Sequence, residues 1–251
     1  MQAKATHVQL QGVTLAYGDF VIQHELTFGI KRGDVFIIMG GSGCGKSTVM
    51  RSLAGLLRPK VGQIFYDGIS FWEALEPQRA ERMRHFGVMY QSGALWSSMT
   101  LAENIALPLE QYTDLSGRQI REIAAYKLAL VGLSGFDDFY PSEISGGMQK
   151  RVGVARAMAL DPEILFFDEP SAGLDPLSAR LLDELILELR DSLGTTMVVV
   201  THELASIFTI ADDSVFLDPQ TKTMLTTGNP RELRDHSDIP KVRAFLNRGE
   251  T

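Results

Sequence analysis

Gly40-Gly41-Ser42-Gly43-Cys44-Gly45-Lys46-Ser47 is the stretch on which the reading of the fold turns. It fits the phosphate-loop pattern Gly-x-x-x-x-Gly-Lys-[Ser/Thr], and its flanks suit that pattern. Val35-Phe36-Ile37-Ile38-Met39, just before it, has the length and branching of a buried strand. After it, Met50, Leu53, Ala54 and Leu57 recur at helical spacing, which predicts a helix from Thr48 to Leu57. Glycines let backbone N–H groups turn inward around a polyphosphate, and the helix N-terminus adds partial positive charge. In such a loop Lys46 reaches the β- and γ-phosphates and the Ser47 hydroxyl coordinates Mg²⁺. A Gly-rich turn without a ligand is the alternative, and the flanking strand and helix weigh against it.

Working outward, residues 6–30 read as two strands, carrying Val8, Leu10, Val13 and Leu15, then Val21, Ile22, Leu26, Phe28 and Ile30. Ala16-Tyr17-Gly18-Asp19 is the turn between them. Tyr17 alone reads as a packing residue; beside a phosphate loop it reads as an aromatic that stacks on a base. Val61–Asp67 alternates like a strand, residues 76–85 suit an exposed helix or turn, and Phe86–Tyr90 forms a short strand ending at Gln91. From Ser92 to Leu160 the pattern is helical, with Asn104–Leu109, Ile120–Val131 and Ser145–Leu160 as helices. Strand character returns at Ile164–Phe167 and Thr196–Val200. These two flank a helix at Leu177–Leu193 with Leu181, Leu185, Ile186 and Leu189 on one face. Two short helices at 231–234 and 242–246 close the chain. The expected architecture is an α/β core interrupted by a helical insertion at about 91–160.

Ile164–Phe167 runs into Asp168-Glu169, the Walker B arrangement. Asp168, at the strand end, suits the Mg²⁺ shell, and Glu169 suits the acceptor of a proton from an attacking water. Adjacent acids at a strand end are commonly just solvated, but here a phosphate loop precedes them. His202 follows the Thr196–Val200 strand. A lone histidine there is usually structural; it gains weight because parallel strands deliver their C-terminal ends to one ligand-binding edge. Gln91 ends another strand and is placed to touch Mg²⁺ or the water. Ser145-Gly146-Gly147-Met148-Gln149 opens a helix with Ser145 as N-cap and no capping box, since Met148 stands at N3. Two consecutive glycines cost roughly 1 kcal/mol each against alanine, which suits a backbone that must approach an anion closely. A second anion site beside a single phosphate loop implies two copies sharing two nucleotides.

Composition bounds the rest. The 251 residues suffice for one large domain or two small ones, and 45% hydrophobic with 22% charged residues is ordinary for a folded chain. A net charge of −7 argues against nucleic acid as partner. Cys44, the single cysteine, excludes an internal disulfide and reads as loop filler in a reducing compartment. No stretch reaches the ~20 apolar residues of a membrane span, and MQAKATHVQL lacks an apolar signal core, so a cytoplasmic chain is expected.

In its order of motifs the chain resembles the nucleotide-binding subunits of ATP-binding cassette (ABC) transporters over nearly its whole length. The resemblance implies a P-loop NTPase (RecA-like) core at about 1–90 and 161–228, with an antiparallel β subdomain. It also implies a helical subdomain at about 91–160, a tail at about 229–251, and ATP with Mg²⁺ on Gly40–Thr48. Tyr17 becomes the adenine-stacking A-loop residue, Gln91 the Q-loop, Ile144–Met148 the signature, Ser171–Asp175 the D-loop and His202 the switch histidine. Catalysis falls to Glu169, His202, Gln91 and Lys46, the metal to Ser47, Gln91 and Asp168, and nucleotide contacts also to Ser145, Gly146, Gly147 and Asp175. The signature departs from the family's Leu-Ser-Gly-Gly-Gln by reading Ile-Ser-Gly-Gly-Met.

Tyr90–Trp96, Glu103–Leu109 and Met148 further resemble the MlaF (Ttg2A) group, ATPases of phospholipid transport systems built around mammalian-cell-entry (MCE) proteins. Besides the homodimer already expected from the second anion site, that narrower resemblance implies lipid cargo between inner and outer membrane, an MlaE-like permease, an MCE-domain protein, a STAS-domain protein, and a place on the cytoplasmic face of a bacterial inner membrane. Docking would fall on Ser92–Trp96, where Leu95 and Trp96 read either as core or as an exposed anchor. An importer for another small substrate is the alternative. ABC-type ATPases of translation or DNA maintenance suit the chain less: it has one set of motifs, no coiled coil and an acidic charge. A P-loop kinase or GTPase leaves Ser145–Met148 and His202 unexplained.

Overall fold

The computed structural model describes residues 4–91 and 93–248; Ser92, at the head of the expected docking segment, lies outside them. The chain begins with strands β1 (Thr6–Tyr17), β2 (Phe20–Lys31) and β3 (Val35–Gly40), followed by helix α1 (Lys46–Leu53). Next come β4 (Val61–Tyr66), β5 (Ile69–Ser70), α2 (Glu76–Met83) and β6 (Phe86–Met89). Helices α3 (Leu101–Tyr112), α4 (Gly117–Leu130) and α5 (Gly146–Ala157) follow, with a 3₁₀ turn at Pro141–Glu143. The remainder is β7 (Ile164–Asp168), α6 (Pro176–Leu193), β8 (Thr196–Val200), α7 (Leu204–Ile210), β9 (Asp213–Asp218), β10 (Thr223–Thr227), α8 (Pro230–His236) and α9 (Pro240–Leu246).

Alternation along β3 explains its unbroken apolar run. Val35, Ile37 and Met39 face a core shared with α3–α6, while Phe36 and Ile38 face a second core shared with α1 and the first strands. The same split divides β7 and β8, so these strands are covered on both faces and need no polar phase. The six-stranded sheet has the order β10-β9-β3-β8-β7-β6, parallel except for β10. A four-stranded antiparallel sheet, β2-β1-β4-β5, packs over the second core. This is the α/β architecture with an antiparallel β layer that the motifs imply. Register then delivers the site: Ile38 and Asp168 both pair with Val200, and Met89 pairs with Phe167. The C-terminal ends of β3, β6, β7 and β8 therefore meet at one edge.

Several expectations change, among them a short strand β5 where none was expected. α1 stops at Leu53, short of Leu57. Gly55, at φ 76°, closes it in a Schellman motif, with Leu56 N–H donating to Arg51 C=O at 2.9 Å and Gly55 N–H to Ser52 C=O at 3.2 Å. Leu181, expected on the buried face of α6, is 48% exposed, because Leu182 and Leu185 take the inward positions. Finally, α7, β9 and β10 fill a stretch for which periodicity predicted no element, and β9 lies beside β3 in the sheet.

Asp183 is buried between α6 and α7. Burial, with the Glu203 and Glu184 carboxylates, pushes its pKa up to about 6 against the Ser206 hydroxyl, which hydrogen-bonds it. The native state thus binds the proton more tightly than the unfolded chain, so this residue costs stability increasingly as pH rises from about 4 through 6. Asp183→Asn keeps an acceptor for Ser206 and is expected to raise the melting temperature at pH 7.5. The gain should vanish near pH 4, as thermal scans at the two pH values will show.

Candidate active site

The phosphate loop leaves β3 at Gly40 and enters α1 at Lys46. Gly40, Gly43 and Gly45 take φ of 148°, 74° and 93°. A Cβ on Gly40 would stand 2.3 Å from the Leu217 carbonyl oxygen, and one on Gly45 2.5 Å from Ile22 Cγ2. Gly43 has open space, so only its dihedral calls for glycine. Gly45 caps α1 without a side-chain acceptor, leaving the first-turn N–H groups to whatever the loop encloses. Cys44 is buried and desolvation pushes its thiol up from the ordinary value, in keeping with a packing role. Lys46 Nζ lies over the loop, donating to the carbonyls of Gly40 at 3.2 Å and Gly41 at 3.4 Å.

Ser47 and Asp168 arrive from different elements and meet. The Ser47 hydroxyl donates to Asp168 Oδ1 at 2.8 Å, and Asp168 is nearly buried. Adjacent ligands of an octahedral Mg²⁺, bound at about 2.0–2.1 Å, lie about 2.9 Å apart. Two hard oxygen donors at this separation fit that ion.

Glu169 sits one residue beyond β7 in the left-handed region, φ 50°, held by its N–H on the Val200 carbonyl at 2.8 Å. For a residue other than glycine this backbone costs on the order of 1–2 kcal/mol. The turn aims the side chain at His202, whose Nδ1 lies 2.9 Å from Oε1. Oε2 is buried and has no hydrogen-bond partner among the described residues. An unengaged carboxylate oxygen beside an imidazole can accept a proton. The Arg248 guanidinium donates to the His202 carbonyl, so the far end of the chain braces the histidine backbone.

The other predicted residues separate into two groups. Tyr17, 49% exposed, ends β1 opposite Phe20. Its hairpin is fixed to the phosphate loop by Gln23, whose Nε2 donates to the Cys44 carbonyl at 2.7 Å and to that of Asp218 at 3.3 Å. Gln91 lies two residues past β6, and its side chain makes no hydrogen bond to Ser47, Asp168 or Glu169 among the described residues. Instead its carbonyl accepts from the buried Lys150 ammonium. Sequence reasoning missed Gln23 and Lys150. Gln23 left no signal: it lies on the outward phase set by Leu26, Phe28 and Ile30, and a bulge with Glu25 at φ 53° turns it inward.

The second group stands apart. Ser145 caps α5, its hydroxyl accepting from Met148 N–H at 3.3 Å, without a capping box. Among the described residues no other group comes within 4 Å of a Cβ on Gly146, whereas one on Gly147 would meet Ser178 at 3.2 Å. Asp175 caps α6, accepting from the N–H groups of Leu177 and Ser178 and, at 2.5 Å, from the Ser178 hydroxyl. Those bonds, the hydroxyl foremost, hold its carboxyl below the usual range. Signature and D-loop are thus neighbours. Among the described residues no hydrogen bond joins Ser145–Gly147 to Lys46, Asp168 or Glu169.

Residues 23–172, which run from β2 through the phosphate loop and signature to the D-loop, match the family model described as ABC transporter. The chain belongs to the ABC transporter family. Among ABC proteins, the probable ribonucleotide transport ATP-binding protein mkl of Mycobacterium tuberculosis is 41% identical over 96% of this chain. This chain spans 66% of the length of that relative. The intermembrane phospholipid transport system ATP-binding protein MlaF of Haemophilus influenzae is 36% identical over 97% of this chain and 91% of its own. In three dimensions the chain is similar to the ATP-binding cassette MJ0796, solved as a dimer in a post-hydrolysis state bound to ADP and Pi. The TM-score is 0.77 at 28% identity, covering 88% of this chain and 98% of the other.

Proposed function

We propose that the chain is the ATP-hydrolysing subunit of a membrane transporter that moves phospholipid between inner and outer membranes. The observation that carries the hydrolytic part is the double meeting at one sheet edge, Ser47 on Asp168 and His202 on Glu169. ATP lies on Gly40–Thr48 with its adenine against Tyr17, and Lys46 moves from the loop carbonyls to the β- and γ-phosphates. Ser47 and Asp168 hold Mg²⁺, which when bound neutralises phosphate charge. Glu169 takes the proton of the attacking water, and His202 orients Glu169 and faces the γ-phosphate. The exposed ends of α5 and α6, carrying Ser145, Gly146, Gly147 and Asp175, complete the site of a second copy, head to tail. The cassette MJ0796, a dimer with ADP and Pi, supports this pairing.

For cargo, the MlaF relative supports phospholipid, since the match covers 91% of that protein. The name of mkl offers ribonucleotide as a second reading, over 66% of its length. On the phospholipid reading the partners are an MlaE-like permease, an MCE-domain protein and a STAS-domain protein, and the subunit is peripheral on the cytoplasmic face of the inner membrane. Among the described residues no helix is long and apolar enough to cross a membrane, so transport needs such a permease. ATP-dependent transfer of fluorescent phospholipid from proteoliposomes holding the complex tests the cargo. Transfer of labelled ribonucleotide without lipid would select the second reading.

The permease meets a cleft of about 740 Å³ between α2, β6 and α3, lined by Tyr90, Trp96, Pro108 and Tyr112. Leu95 packs partly on the core, whereas Trp96 is 61% exposed, so the two readings of this pair divide between the two residues. Buried Asn104 holds the Trp96 backbone, accepting from its N–H at 2.7 Å and donating to its carbonyl at 3.1 Å. An aromatic on so firm a base suits the anchor of a helix-in-groove contact. Trp96→Asp is expected to keep ATP binding and weaken permease association roughly thirtyfold, about 2 kcal/mol for a central anchor. Leu95→Asp should instead lower thermal stability. Unaltered co-purification and transport in Trp96→Asp would move the docking surface elsewhere.

A further inference from the structure

Hydrolysis as derived above leaves unused a buried charge that lies close to the site. Lys150 lies one turn into α5, 7% exposed, and its ammonium donates to the Gln91 carbonyl. Burial pushes it below the ordinary lysine value, and the nearby Glu169 carboxylate offsets part of that push. Arg156, farther along the helix, donates to the carbonyls of Gly93 and Ala94, both at 2.7 Å. Between them, a Cβ on Gly153 would stand 3.2 Å from Gly93 Cα. Residues 150, 153 and 156 recur every three positions, so they form one face of α5, laced to the segment after β6. A methionine of similar length would fill the same space without desolvating a cation, which is costly. The charge therefore has a task that packing does not supply.

We propose that Lys150 is a positioning residue that fastens Gln91 to the helix opened by Ser145, so that Gln91 takes its working place only when α5 does. The N-terminus of α5 faces the partner's nucleotide and its first turns carry Gln91 and the path to Trp96. Arrival of a γ-phosphate at Ser145 in this way reaches Gln91 through one buried hydrogen bond rather than through loop motion. The inference rests on the hydrolytic site proposed above.

The test uses the full chain carrying Trp72→Phe, which leaves Trp96 as the only one of the two tryptophans. ATP turnover and the change of Trp96 emission on adding Mg-ATP are measured together. Lys150→Met is expected to cut kcat about tenfold with KM for ATP within about twofold, and to abolish the emission change. Lys150→Arg should return both to within about threefold of the parent, as a restored donor would. Should the methionine variant fail to fold, Lys150→Gln takes its place with the same expectation. A Met or Gln variant with parental kcat or a parental emission change overturns the proposal. So does a folded Arg variant no better than Met or Gln. A parent without ATPase activity would instead overturn the hydrolytic reading, which separates the two failures.

Discussion

Glu169→Gln is expected to lower ATP turnover by about 10²–10⁴ while ATP affinity stays within a few-fold. The substitution keeps size, the left-handed backbone at φ 50° and an oxygen able to accept from His202. It removes the property that hydrolysis needs there, a buried carboxylate oxygen with no hydrogen-bond partner among the described residues. ATP then binds without being consumed, and two copies stay closed on it. Size-exclusion chromatography with Mg-ATP should show a persistent dimer for Glu169→Gln and a transient one for the parent. Equal turnover in both proteins would remove Glu169 from the role of base.

The parts of this site that were legible in sequence share a physical cause. Val35–Met39 and Ile164–Phe167 are buried on both faces, so composition alone marked them as central strands, and each points its last residue at the ligand edge. Backbone demands were legible too, because only glycine satisfies Gly40 and Gly45. What escaped was set by tertiary contact. β9 reads Asp-Ser-Val-Phe-Leu-Asp, a run bracketed by acids that resembles a turn, yet pairing with β3 and β10 makes it a buried strand. Leu181 follows the helical period of its neighbours but stays 48% exposed, beside the inward Leu182 and Leu185. Gln23 and Lys150 belong to no motif, since a buried polar group is justified only by the carbonyl it reaches, Cys44 and Gln91 respectively. The separation of Ser145–Gly147 from Lys46 shows in the single-chain hydrogen bonds, and the proposed pairing of two copies, already suggested by a second anion site beside one phosphate loop, would account for it.

That last point yields the second large effect. Gly146→Glu is expected to fold at least as well as the parent and to hydrolyse ATP at least a hundredfold more slowly, an oxyanion-scale loss. The position is chosen over Gly147 because a Cβ on Gly147 would press on Ser178, confusing misfolding with lost chemistry, whereas Gly146 opens on free space. Glutamate in the first turn of α5 also gains a few tenths of a kcal/mol of helix propensity over glycine and a favourable helix dipole. Stability therefore holds, and only the anion at the helix N-terminus is opposed, by a carboxylate where a γ-phosphate must approach. Lys46→Ala fails for the opposite reason, having an intact signature and no cation on its own phosphates. In a forced heterodimer of the two, one site combines the intact loop of the Gly146→Glu chain with the intact signature of the Lys46→Ala chain. Turnover should then recover to at least about a tenth of the parent's, measured on linked dimers so that homodimers contribute nothing. Two chains that each held a complete site would remain dead when mixed. Absence of recovery, with ATP still bound by the Gly146→Glu chain, would count against a site shared between two copies.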